Sequence, residues 1–77
     1  MSKVTVYTKH NCPQCEVTKI VLKGEGIEFN TINIEDDQEA MEYVKDVLGF
    51  SSTPVIVADG HEPFSGFQPD KLKELKY

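Results

Sequence analysis

The chain has no tryptophan, only two cysteines and fewer positive than negative charges. Each shortage excludes something. No apolar run approaches the roughly 18 residues of a membrane span, so no membrane partner is expected. The opening Met1-Ser2-Lys3-Val4 has no long apolar stretch and no small-residue cleavage site. Those are the marks of a secretory signal, so a cytoplasmic location is expected. Eight basic residues face thirteen acidic ones, for a net charge of −5. Nucleic-acid backbones are gripped by concentrated Lys and Arg, so no nucleic-acid partner is expected. The acids gather in Glu35-Asp36-Asp37 and just beyond, where solubility accounts for them. Repeats, linkers and low-complexity tracts are absent from the 77 residues. That length fits one domain, residues 1–77, with a modest core, and a monomer is expected.

What is present alternates between strand and helix signals. Val4-Thr5-Val6-Tyr7-Thr8 is β-branched and aromatic and reads as a strand. Pro13 suits the first turn of a helix, where its missing N–H costs nothing. Val17, Ile20 and Val21 then recur at helical spacing, and Gly24 and Gly26 end the run. Ile27 to Ile34 reads as a second strand. Asp36 or Asp37 can cap the next helix. Its apolar stripe is Ala40, Met41, Val44, Val47 and Leu48, read as core packing, and Gly49 stops it. Val55-Ile56-Val57-Ala58 is a third strand, and Asp59-Gly60 a hairpin signal. His61 to Phe64 is a short return strand at an edge, carrying Pro63. Pro69 and Asp70 open a last helix with Leu72 and Leu75 facing inward. The order is βαβαββα. Strand–helix–strand at the start implies a parallel pair and the hairpin adds antiparallel strands. An α/β fold follows, with three helices on a mixed four-stranded sheet.

The two cysteines lie three apart, as Cys12-Pro13-Gln14-Cys15, where the first strand hands over to the first helix. A disulfide meant as a staple constrains the unfolded chain more when it closes a long loop. This spacing points to chemistry instead. A C-x-x-C pair in a reducing compartment is typically catalytic or metal-binding. At the head of a helix the Cys12 sulfur faces unpaired N–H groups and the positive end of the dipole. Both favour the thiolate that thiol–disulfide exchange requires. Side chains three apart on a helix have Cβ atoms about 5–6 Å apart, against about 3.5–4.5 Å in a disulfide, so a modest adjustment of the first turn closes the bond. Cys12, ahead of the helix, is expected to be the nucleophile. Cys15, inside the first turn, is expected to be shielded and to resolve the mixed disulfide. Pro13 and Gln14 tune the pair. Lys9 adds a favourable charge or is a solvated lysine at the strand end. Thr53-Pro54 precedes the third strand. Only about 5–6% of X-Pro bonds are cis, so sequence alone does not show a cis bond there.

These features resemble the glutaredoxin branch of the thioredoxin fold, over essentially the whole length, and most closely the NrdH-redoxins. Val6-Tyr7-Thr8 followed by Cys12-Pro13-Gln14-Cys15 looks like the family's first strand and active site. Thr53-Pro54-Val55 looks like its cis-proline segment. Ser65-Gly66-Phe67-Gln68-Pro69-Asp70 is similar to its W-S-G-F-R-P-D stretch, with Phe64 in place of Trp and Gln68 in place of Arg. Any polar tie between those two side chains is therefore weakened or lost. The resemblance implies a redox-active Cys12–Cys15 disulfide. It also implies partner contacts by Lys9, Pro13, Gln14, Thr53, Pro54, Ser65, Gly66 and Phe67. The implied partner is the catalytic subunit of class Ib ribonucleotide reductase. The implied electron source is NADPH, through a flavin-containing thioredoxin reductase, with no cofactor bound by the chain itself.

Two other readings compete. A glutathione-dependent glutaredoxin shares the pair, but the tyrosine that many carry inside the motif and their Gly-Gly-x-Asp segment are missing here. A copper or zinc carrier also places C-x-x-C on its first strand–helix loop, and His10 and His61 could complete such a site. Those carriers run βαββαβ, whereas this chain ends in a helix, and the spacing of His10 from Cys12 fits no common zinc pattern. Thr53 and Ser65 have no base–acid partners and read as turn residues bonding the backbone. Tyr7 and Tyr43 read as partly buried packing residues. Phe64 and Phe67 either line a contact surface or cover the core.

Overall fold

A computed structural model describes residues 4–75. The elements are β1 (Val4–Thr8), α1 (Pro13–Gly24), β2 (Asn30–Asn33), α2 (Gln38–Glu42), β3 (Val55–Ala58), β4 (Phe64–Ser65) and α3 (Pro69–Lys73), with a wide π turn at Tyr43–Val47 continuing α2. They form one sheet in the order β2-β1-β3-β4. β1 runs parallel to β2, Thr5 opposite Asn30, and antiparallel to β3, Val6 opposite Ile56. β4 pairs antiparallel with β3, Phe64 opposite Ile56. The mixed four-stranded sheet with three helices is the expected architecture, and α1 is the crossover that parallel β1 and β2 require.

The period of two in β1 sends Val4, Val6 and Thr8 inward. They meet Leu22 from α1, Ile56 and Ala58 from β3, Phe64 from β4, and Leu72 and Leu75 from the α3 end. Each large apolar side chain moved from water into such a core contributes about 1.5–3 kcal/mol. Phe64 is buried and covers the core, while Phe67 is half-buried, packing one side against the same cluster.

Four expectations need correction. The inward face of α1 is Cys15, Thr18 and Leu22, while Val17 and Ile20 are exposed. Burial of Thr18 leaves no orphan, because its hydroxyl donates to the Gln14 carbonyl at 2.8 Å. A small polar residue so satisfied can lie against the sheet. The second strand begins at Asn30, not Ile27. Ile27 belongs to the end of α1: its N–H donates to the Leu22 carbonyl, and Gly26, at φ +73, donates to Lys23. That is the Schellman closure, with its apolar contact between Ile27 and Leu22.

The second helix widens after Glu42. Leu48 N–H donates to the Tyr43 carbonyl five residues back, and Phe50 N–H to Val44. The extra residue per turn moves Val47 off the stripe; Ala40 and Val44 are buried, while Met41 and Val47 are exposed. Of the two candidate caps, Asp36 and Asp37, Asp37 caps α2 through a bond from Ala40 N–H at 3.1 Å, and Gly49 ends the run at φ +76 as expected. The return strand is Phe64–Ser65 instead of 61–64. Asp59 and Gly60 do form the turn, closed by His61 N–H on the Ala58 carbonyl. Pro63 has no N–H to give a ladder, so pairing starts after it.

Candidate active site

The loop from β1 to α1 turns sharply at Asn11, whose φ of 55 is left-handed. Asn tolerates this conformation better than most residues because its short polar side chain can bond locally. The loop is held from outside. His10 N–H donates to Glu35 Oε1 at 2.6 Å, tying it to the segment between β2 and α2. Cys12 is then the N-cap of α1 and Pro13 its first helical residue.

Cys12 and Cys15 are joined in a disulfide with Cα atoms 5.2 Å apart. Cys15 N–H, one of the unpaired donors of the first turn, points at the Cys12 sulfur at 3.2 Å. Cys15 has no exposed surface, while Cys12 keeps 8%. Both residues are therefore buried, Cys15 completely and Cys12 nearly so, and the Cys12 sulfur is the one that receives the helix N–H. Pro13 and Gln14 are exposed beside them.

The Thr53-Pro54 peptide is cis. Both residues are buried, and the Thr53 hydroxyl lies 3.5 Å from the Cys12 sulfur. The side chain of Thr53 thus faces the redox pair, not the backbone that a turn residue would bond. The Pro54 carbonyl accepts from Gly66 N–H at 2.8 Å, which joins the Ser65-Gly66-Phe67 stretch to the cis-proline segment. Gln68 Nε2 donates to the Ser65 carbonyl at 2.7 Å, and the Lys71 ammonium sits 5.5 Å over the Phe64 ring. Local bonds therefore hold the two residues that depart from the family pattern.

Beside Thr53 opens a cavity of about 380 Å³. Ile34, Met41, Val44 and Phe50 supply its apolar lining, and Lys9, Lys45 and Glu35 its charges. Lys9 thus belongs to a groove that reaches the active site. Phe50, Met41 and Lys45 carry no motif in the sequence and were not foreseen as site residues. Neither was Glu35, which bonds a residue 25 positions away.

Tyr7, on β1, packs against Tyr43 with ring centroids 6.0 Å apart. Burial, followed by the nearby Tyr43 and Asp37, raises the Tyr7 hydroxyl pKa above its ordinary value of 10.0. His10 Nε2 lies 3.6 Å from Asp36 Oδ1 and 3.4 Å from Asn33 Nδ2. His61 lines a different cavity, with Phe64 and Lys71. Among the described residues no group of three or more His, Cys, Asp or Glu side chains is placed to hold a metal ion. No helix there is long and apolar enough to cross a membrane.

The sequence model of the glutaredoxin family matches residues 4–62. The chain is 46% identical over 72 residues to the Gene 56 protein of Mycobacterium phage L5, covering 94% of this chain and 70% of that protein. It is also 46% identical over 72 residues to the glutaredoxin-like protein NrdH of Lactococcus lactis subsp. cremoris, covering 94% of this chain and 97% of that one. The solved structure of the NrdH-redoxin from Escherichia coli superposes with a TM-score of 0.90 at 35% identity, covering 96% of this chain and 95% of that one. Such likeness takes in the redox-active cysteine pair and the thioredoxin-type sheet together. The chain belongs to the glutaredoxin family, among its NrdH-redoxins.

Proposed function

We propose that this protein carries two electrons from an NADPH-dependent, flavin-containing thioredoxin reductase to a disulfide in the catalytic subunit of class Ib ribonucleotide reductase. The observation that carries this reading is the inequality of the two sulfurs. Cys12, at the head of α1, receives a backbone N–H, while Cys15 is wholly buried behind it. In the dithiol form the Cys12 thiolate attacks the partner disulfide, and the partner's second sulfur leaves as a thiolate. Cys15 then attacks the Cys12 sulfur, closes the internal disulfide and frees the partner. The chain's own sulfurs are the carrier, with no bound cofactor. It acts as a cytoplasmic monomer.

Relatives named glutaredoxin-like protein NrdH support the assignment. The solved structure of the Escherichia coli NrdH-redoxin is described as the basis of a thioredoxin-like activity profile. This favours thioredoxin reductase over glutathione as the reductant here. The exposed Pro13 and Gln14, the groove that includes Lys9, and the Ser65-Gly66-Phe67 stretch tied to Pro54 form the surface a partner would meet.

A paired assay tests this. NADPH consumption is followed with thioredoxin reductase in one arm, and with glutathione and glutathione reductase in the other. Each arm uses the class Ib catalytic subunit as acceptor. Faster turnover in the first arm is expected; a faster second arm would move the protein to the glutathione-dependent glutaredoxins. Cys15→Ser should accumulate a mixed disulfide between Cys12 and the acceptor, visible by mass. Trapping through Cys15 in a Cys12→Ser protein instead would reverse the roles.

A further inference from the structure

The loop that carries Cys12 is fastened to a second loop that no motif marks. His10 N–H donates to Glu35 Oε1 at 2.6 Å, across 25 residues of sequence. The acceptor is a carboxylate, and such charge-assisted bonds are short and roughly twice as strong as neutral ones. Glu35 is itself held. Its N–H donates to Asn33 Oδ1 at 2.8 Å, and Asp36 N–H donates to the Asn33 carbonyl at 3.1 Å, which closes a tight turn after β2. Asn33 Nδ2 also lies 3.4 Å from His10 Nε2. Between His10 and Cys12 stands one residue, Asn11, in the left-handed region at φ 55. A residue other than glycine stays there only when its surroundings hold it. His10 and Glu35 are both exposed, and an exposed polar pair adds little to fold stability. What the tie fixes is direction: it sets how the chain enters the N-cap of α1 at Cys12.

We infer that Glu35 is a positioning residue for the redox pair. Its carboxylate, through the His10 N–H, holds the β1–α1 loop so that the Cys12 sulfur stays within reach of Cys15 before the disulfide closes. The inference rests on the dithiol–disulfide cycle proposed above. The step it serves is closure. Cys15, having lost its proton to solvent, forms a bond to the Cys12 sulfur as the bond from Cys12 to the partner sulfur breaks. The electron pair leaves on the partner sulfur, which takes a proton from solvent. The pair is oxidised and the partner disulfide is reduced. Such an intramolecular step depends on how well the two sulfurs are held together beforehand. With the tie lost, the loop gains freedom while the disulfide is open. Closure must then take that freedom away, at a cost in conformational entropy that the tied loop has already met.

The test equilibrates the full-length protein in buffers of reduced and oxidised glutathione at one pH, then quenches with acid. Mass spectrometry measures the dithiol, the internal disulfide and the mixed disulfide with glutathione. Glu35→Ala is expected to lower the ratio of internal to mixed disulfide about tenfold. Glu35→Leu, which also lacks an acceptor, should do the same and serves if the alanine protein does not fold. Glu35→Gln keeps an acceptor oxygen at the same reach and should stay close to wild type. The gap in thermal midpoint between oxidised and reduced protein should narrow in the alanine variant and not in the glutamine one. A general loss of packing would lower both midpoints and leave the ratio unmoved. Wild-type ratios in the alanine or leucine protein overturn the inference. So does a glutamine protein that shifts as far as the alanine one, which would leave the charge and not the hydrogen bond as the cause. A wild-type protein that forms no internal disulfide overturns the cycle itself, and is read without any variant.

Discussion

Single residues set the local conditions of this site through burial and backbone conformation more than through formal charge. Asn11 adopts a positive φ immediately before Cys12 and so turns the chain into the helix cap. Tyr7 shows burial acting on a titratable group. Its hydroxyl pKa is raised first by desolvation and then by Tyr43 and Asp37. A tyrosine whose folded pKa lies above its unfolded value of 10.0 contributes no pH dependence below that value. As pH climbs past it, the unfolded chain loses the proton first, and folded stability falls until the folded group ionises too. Tyr7→Phe should therefore flatten part of the stability loss above about pH 10. Urea denaturation of both proteins between pH 8 and pH 11, on scales set by general tyrosine titration, checks this. Parallel curves would show that Tyr7 ionises alike in both states.

At the scale of elements, α1 does two jobs with two ends. Its N-terminus presents Cys12 and aims the Cys15 N–H at that sulfur. Its C-terminal half anchors the helix through Leu22, fully buried in the core. Hydrophobicity alone misjudges which face does the anchoring, because Val17 and Ile20 look like core and are not. Leu22→Ala should cost about 2–5 kcal/mol, the range for large-to-small changes in packed cores. Ile20→Lys should change stability by no more than about 0.5 kcal/mol, as exposed substitutions usually do. Chemical denaturation measures both, and a large loss at Ile20 would mean that its face is covered in solution.

Across the whole molecule, the site is assembled from four separate segments. The β1–α1 loop brings the cysteines, the loop before β3 brings Thr53 and Pro54, β4 and its following turn bring Ser65 to Phe67, and Glu35 ties the first loop from the far side of β1. Gly66 is the joint between two of them, with its N–H on the Pro54 carbonyl and its φ at +82. Among the described residues, nothing beyond its own chain neighbours stands within 4 Å of where a Cβ would go, so the need for glycine is conformational. Gly66→Ala should cost about 1–2 kcal/mol, the penalty of a left-handed conformation for an ordinary residue. Thermal denaturation checks this; an unchanged midpoint would mean that the turn relaxes freely.

Local chemistry wrote much of this protein plainly. The β-branched run of β1, a cap at Asp36 or Asp37, helix ends at Gly24-Glu25-Gly26 and at Gly49, and Cys12-Pro13-Gln14-Cys15 at a strand–helix junction are each decided by neighbours a few residues away. They are legible without a fold, and with them the βαβαββα order and the redox character of the pair. Tertiary structure decided what depends on distant partners. Thr18 is buried because the sheet lies on that side of α1, and Ile27 is drawn into the helix closure by Leu22. The His10–Glu35 tie spans 25 residues and the Thr53–Cys12 contact spans 41. No periodicity or spacing encodes such contacts, because they arise only when packing brings the loops to the same end of the sheet.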